Sequence, residues 1–222
     1  MQICEKLHGF FWNSPQANNC NTYLIDDGVR VLIDPGHAAF FDHVRLGLNA
    51  LRIDLADIDL VICTHAHPDH IEAVRFFKAL PARVAMHPDE WRMVKELGPY
   101  VRSAMGVDIE DLMPDFFLNE GSLKVRGLGL NVHHTPGHAP GALCIHWPEA
   151  EALFTGDLIF AGGLGRTDLP GGNGRQLKES IRRMAGIGGV SHLLPGHGPA
   201  LNGAEAVQRN FSRVEEAWFG YL

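Results

Sequence analysis

Three of the chain's 13 histidines fall within six consecutive residues, His65-Ala66-His67-Pro68-Asp69-His70, directly behind the apolar run Leu60-Val61-Ile62-Cys63. A short run rich in β-branched residues reads as a buried strand. Beyond the cluster, Ile71, Val74, Phe77 and Leu80 recur at helical spacing until Pro81 ends the pattern. The cluster therefore occupies a loop between a strand's end and a helix's start, which demands an α/β arrangement around it. On such a loop, alternate residues aim their imidazoles at one point. A turn beginning at Pro68 swings Asp69 and His70 to the other side. That split serves two metal ions roughly 3.5–4 Å apart, His65 and His67 on one, Asp69 and His70 on the other. Mixed imidazole and carboxylate donors suit zinc, iron or manganese. A solvated polar loop would leave such dense packing of donors unexplained.

The surrounding pattern fills in a mixed sheet architecture. Cys20 to Ile25 and Val29 to Ile33 are apolar runs joined by Asp26-Asp27-Gly28, a hairpin signal. Phe41, Val44, Leu48 and Leu51 give helical spacing between Phe40 and Ile53, and Val84 to Met86 reads as another strand. Residues 88–120 are Pro-punctuated and read as two short helices. Strand-like runs follow around Gly127 and Gly129, at 142–147 and at 152–155, then a glycine-rich loop at 162–174. Helices are expected at about 175–185 and 203–218, flanking a strand at 191–194. Strands, then strand–helix alternation, then strands and terminal helices fit mixed sheets with helices outside.

Bulk properties narrow the partners. With 45% hydrophobic and 20% charged residues over 222 positions, the chain can bury a substantial core. No linker or repeat interrupts it, so a single domain over 1–222 is expected. A formal charge of -7 without a Lys/Arg run lacks the footprint for a phosphate backbone, so nucleic acid is not an expected partner. No apolar run is long enough to span a bilayer, and Met1 to Lys6 does not resemble a secretory signal. Cys4, Cys20, Cys63 and Cys144 lack paired spacing and read as reduced thiols of a cytoplasmic protein.

Three further donors each follow an apolar run and a glycine: His138 in Thr135-Pro136-Gly137-His138, Asp157 in Thr155-Gly156-Asp157, and His197 in Pro195-Gly196-His197-Gly198. Singly, each is more often a turn residue than a ligand; alongside the first cluster the balance reverses. His8, His37, His43, His87 and His192 have no ligand spacing, and Trp91, Tyr100 and Met105 read as core before pocket wall.

Thr64-His65-Ala66-His67-Pro68-Asp69-His70 resembles the THxHxDH signature of the metallo-β-lactamase superfamily, and the three later motifs match its remaining ligand motifs in order. The resemblance covers nearly the whole chain. It implies an αββα sandwich of two mixed β-sheets with helices on the outer faces. It assigns His65, His67 and His138 to one metal, Asp69, His70 and His197 to a second, and Asp157 to both, with Asp34 a structural residue near the site. Phe154 to Gly172 looks most like the glyoxalase II group, particularly short members without a C-terminal glutathione-gripping helical domain. This sequence departs from that group at Gly198-Pro199, where a tyrosine is usual, at Arg166-Thr167-Asp168, where Lys-Phe-Tyr is usual, and at Ala73.

The expectation is a hydrolase with two divalent cations, zinc foremost and iron or manganese also suitable, acting on a small-molecule thioester. Two cations sharing a water lower its pKa from about 15.7 toward 7. Asp157 would bridge the pair, Asp69 would orient the nucleophile, and Arg166 would meet a substrate carboxylate. A thiolate, with a pKa near 8.5, leaves with little protonation, whereas an amide nitrogen needs an acid that the sequence does not display. Two alternatives share the fold: a mononuclear iron persulfide dioxygenase using His65, His138 and Asp157, and a lactone or β-lactam hydrolase.

Overall fold

The computed structural model describes residues 1–98, 102–103 and 106–222, so Tyr100 and Met105 lie outside the described residues. The chain divides into two compact units, residues 1–118 with 125–128, and residues 119–124 with 129–222.

The first unit is built on a seven-stranded sheet, ordered β1 (Gln2–Cys4), β2 (Leu7–Phe10), β3 (Thr22–Asp26), β4 (Arg30–Ile33), β5 (Leu60–Ile62), β6 (Arg83–Met86) and β7 (Phe116–Phe117). β1 to β4 run antiparallel, and β4 to β7 are parallel. The Asp26-Asp27-Gly28 turn joins β3 to β4 as expected, with Gly28 at φ +68. The first two strands carried no pattern long enough to read. Helix α1 (Asp42–Ala50) buries Val44 and Leu48 among Phe41, Val61, Val74 and Phe77. Burial of these apolar faces, at about 25 cal/mol per Å², provides the main drive for this layer.

The segment after the histidines differs instructively from the single helix that its spacing suggests. Helix α2 spans only Pro68–Ile71, and Glu72–Phe77 is a 3-10 helix. Pro68 suits the first helical position, where its missing N–H costs nothing. The α ladder then loses its bonds to neighbours. The Asp69 carbonyl accepts from the Cys20 amide, the His70 carbonyl accepts from Gly36, and the Ala73 amide donates to Gly36. Tertiary hydrogen bonds replace the i→i−4 set, and the helix tightens. Helix α3 (Pro88–Glu96) follows β6, with the His87 Nδ1 accepting from the Asp89 amide as its N-cap.

The second unit is built on a six-stranded sheet. Its chain-order strands are β8 (Gly121–Val125), β9 (Leu128–His134), β10 (Leu143–Trp147), β11 (Ala152–Gly156), β14 (His192–Pro195) and β15 (Leu201–Asn202), lying in the order β15-β14-β11-β10-β9-β8. β11 and β14 are parallel, whereas β10 pairs antiparallel with both β9 and β11. Strands β12 (Ile159–Phe160) and β13 (Gly163–Leu164) make a small hairpin at the head of the glycine-rich loop. Helices α4 (Gly174–Ala185) and α5 (Ala204–Trp218) bury Leu177, Ile181, Val207, Phe211 and Val214 in one core with Leu153 and Leu193.

Candidate metal centre

In the first unit, the donors gather at the carboxyl ends of its parallel strands, where open α/β sheets place ligands. β4 delivers Asp34, β5 delivers Thr64 to His67, and α2 carries Asp69 and His70. Donor atoms of His65 lie within 4.8 Å of those of His67 and of His70, and Asp69 stands equally close to His70. His65 and His70 are fully buried, and Asp69 nearly so. The His65 and His67 rings are perpendicular, with centroids 4.8 Å apart.

Asp34 decides which ring nitrogens face inward. Its Oδ1 accepts from the Thr64 amide at 2.7 Å. Its Oδ2 accepts from the Thr64 hydroxyl at 2.7 Å and from His70 Nδ1 at 2.9 Å. The Thr64 hydroxyl has one proton, already given to Asp34, so its lone pair accepts from His65 Nδ1, 3.1 Å away. Both histidines therefore carry their proton on Nδ1 and present the Nε2 lone pair. That is the tautomer a metal needs, fixed by the carboxylate and hydroxyl behind it. Asp34 is held at φ +53, a left-handed conformation uncommon outside glycine, asparagine and aspartate. Its amide donates to the Ile62 carbonyl, and its own carbonyl accepts from Thr22 Oγ1 at 2.6 Å.

Two side chains that the sequence did not single out complete this cluster. Asn18, on the loop between β2 and β3, donates from Nδ2 to Asp69 Oδ2 at 2.6 Å. Glu90, completely buried in the first turn of α3, accepts from the Ala66 amide at 2.6 Å. The only signal for Glu90 was its place just beyond a parallel strand; Asn18 stands 51 positions from its partner and gave none.

In the second unit, His138, Asp157 and His197 come together. His138 Nε2 lies 3.6 Å from Asp157 Oδ2, and His197 Nε2 lies 3.3 Å from the same oxygen. His138 Nδ1 donates to the Arg166 carbonyl at 2.7 Å, so its Nε2 again carries the lone pair. β11 and β14, paired in parallel, place Asp157 and His197 just past their ends, and the Gly196 amide donates to the Gly156 carbonyl between them. Gly156 requires φ +48 to turn Asp157 inward. Gly165 packs so tightly that a Cβ there would overlap the Asp157 carbonyl oxygen and press on the His138 ring. The Arg166 guanidinium is exposed and makes a two-pronged ion pair with Asp168 at 2.6 and 2.7 Å, which holds the Asp168 carboxyl down at about 2.

These imidazole and carboxylate groups fit divalent metal ions. Each unit sets neutral Nε2 donors beside a carboxylate, with the opposite nitrogens of His65, His70 and His138 fastened. Of the histidines set aside, His37 lies 2.9 Å from Glu72, and His192 lies 2.8 Å from Asn202. Cys63 is a buried apolar filler, as expected, with its thiol pushed well up by burial.

The model of the metallo-β-lactamase superfamily matches residues 15–188. A probable metallo-hydrolase of Methanocaldococcus jannaschii is 34% identical over 203 residues, covering 87% of this chain and 91% of that protein. The hydroxyacylglutathione hydrolase GloC of Haemophilus influenzae is 31% identical over 185 residues, covering 81% and 85%. Among solved structures, TTHA1623 in a di-iron-bound form superposes with a TM-score of 0.72 at 30% identity, covering 95% of this chain and 98% of that one. Two mixed sheets with their helices, and the ligand motifs at the ends of their strands, agree with that match: this chain belongs to the metallo-β-lactamase superfamily of metal-dependent hydrolases.

Proposed function

We propose that residues 1–222 act as one domain in which the two donor groups hold a pair of divalent cations and hydrolyse a thioester. His65, His67 and His138 would hold one ion, Asp69, His70 and His197 the other, and Asp157 both. The observation that carries this reading is the shared tautomer. Asp34 and the Arg166 carbonyl, on two separate units, each fasten a histidine through Nδ1 and turn its Nε2 toward a carboxylate. When bound, the cations lower the pKa of a water toward neutrality and polarise a carbonyl. Zinc foremost, and iron or manganese, suit these donors; TTHA1623 holds two irons.

The chain's own contribution is orientation. Asn18 fixes the Asp69 carboxylate, which then holds the proton of an attacking water in a set direction. Arg166 is proposed to meet a substrate carboxylate by exchanging Asp168 for it. A thiolate departs unaided because its conjugate acid has a pKa near 8.5. The likeness to GloC supports a hydroxyacyl thioester. The four cysteines lack paired spacing, which supports a reducing, cytoplasmic setting, and no helix of the described residues is long and apolar enough to cross a membrane.

The test pairs metal analysis of protein purified without added metal with hydrolysis of a thioester panel that includes S-lactoylglutathione. Two equivalents of metal and turnover of at least one thioester are expected. Rates equal to buffer across the panel overturn the thioesterase reading, and one iron with oxygen uptake on glutathione persulfide replaces it with a dioxygenase.

A further inference from the structure

Glu90 is a fully buried carboxylate that the seven donors leave unused. Its Oε2 accepts a hydrogen bond from the amide of Ala66, the residue between His65 and His67, at 2.6 Å. Holding that peptide sets the backbone angles on either side of it, and with them the perpendicular arrangement of the two rings. Thr64 and Asp34 steady His65 from the preceding residue; Glu90 steadies the peptide that follows. A neutral amide side chain would accept the same hydrogen bond, so the geometry alone does not require a charge. An ionised carboxylate is favoured there by position, since Glu90 stands in the first turn of the nine-residue helix α3, where the helix dipole favours an anion.

We propose that Glu90 is a positioning residue for the metal centre, locking the Ala66 peptide and adding a buried negative charge behind the neutral donors His65 and His67. This rests on the reading that those histidines hold a cation. Imidazoles bring no charge of their own to offset a dication, and a buried anion nearby strengthens binding in a low-dielectric setting. Without the metal, the same charge is a burden on the fold.

The opposite signs make the test. Glu90→Gln keeps an acceptor oxygen and removes the charge, whereas Glu90→Leu removes both and risks the fold, so the glutamine variant decides. Zinc affinity is measured by competition with a chromophoric chelator, and melting is followed on metal-stripped protein. The expected result is zinc binding about 10-fold weaker in Glu90→Gln, with a stripped variant that melts no lower than the stripped wild type. Wild-type affinity in the variant overturns the proposal. So does a stripped variant that melts lower, because Glu90 would then be a structural residue. Zinc binding absent from the wild type itself overturns the underlying metal reading instead.

Discussion

Asp34 orients two imidazoles while contacting no substrate in the proposed scheme. All three hydrogen bonds to its side chain come from donors, namely the Thr64 amide, the Thr64 hydroxyl and His70 Nδ1. Asp34→Asn necessarily points an amide NH2 at one of these groups. If the NH2 replaces Oδ2, His70 loses its acceptor and Thr64 can turn its hydroxyl proton toward His65, reversing that tautomer. Metal affinity is expected to fall about 10–100-fold, measured by the same chelator competition. An unchanged affinity would show that packing alone orients the rings. The sequence marked Asp34 only through the family likeness, because its role depends on a left-handed backbone and on residues 30 and 36 positions away. The candidate donors themselves were legible, since they gather in short motifs beyond strand ends and the pattern repeats.

At the scale of elements, the turn carrying His138 is clamped by α4. The Asn173 amide, at the helix N-cap, donates to the Gly137 carbonyl at 2.7 Å, and Ser180 Oγ donates to the Pro136 carbonyl at 2.7 Å. Gly137 sits at φ +140, and a Cβ on it would overlap the Leu177 backbone. Gly137→Ala is therefore expected to cost at least about 2 kcal/mol from backbone strain and overlap together. Gly127→Ala, at φ +99 in open space, provides the comparison and is expected to lose only about 1 kcal/mol. Denaturant unfolding of both variants checks the difference; equal losses would show that helix contact is not what demands glycine at 137. The clamp was invisible in the sequence, where 162–174 read as an irregular loop and α4 as an ordinary helix. Long periodic segments were readable. α1, α4 and α5 fall within two or three residues of their expected bounds, because burying one face sets their period. β1, β2, β12 and β13, of two to four residues each, are too short to display a period, and their pairing depends on neighbours distant in sequence.

At the scale of the whole molecule, the proposed ligand set is divided between the two units, four donors on the first and three on the second. Under that proposal, a cation held by both would lower the free energy of a state in which both are folded, and unfolding either one would release it. At 100-fold excess over its dissociation constant, the metal contributes about 2.7 kcal/mol, which for a chain of this length raises the melting temperature by about 5–10 °C. Hydrogen exchange separates the proposed shared site from two independent ones. Added zinc is expected to slow exchange in the Thr64–His70 segment and in the segments around His138, Asp157 and His197 at the same concentration. His138→Ala tests the coupling directly, because it removes a proposed donor that belongs to the second unit. It is expected to weaken zinc protection of residues 64–70 as well as of its own turn. Protection of residues 64–70 that is unaffected by His138→Ala would mean that the first unit binds its metal alone, and the seven-donor centre would have to be abandoned.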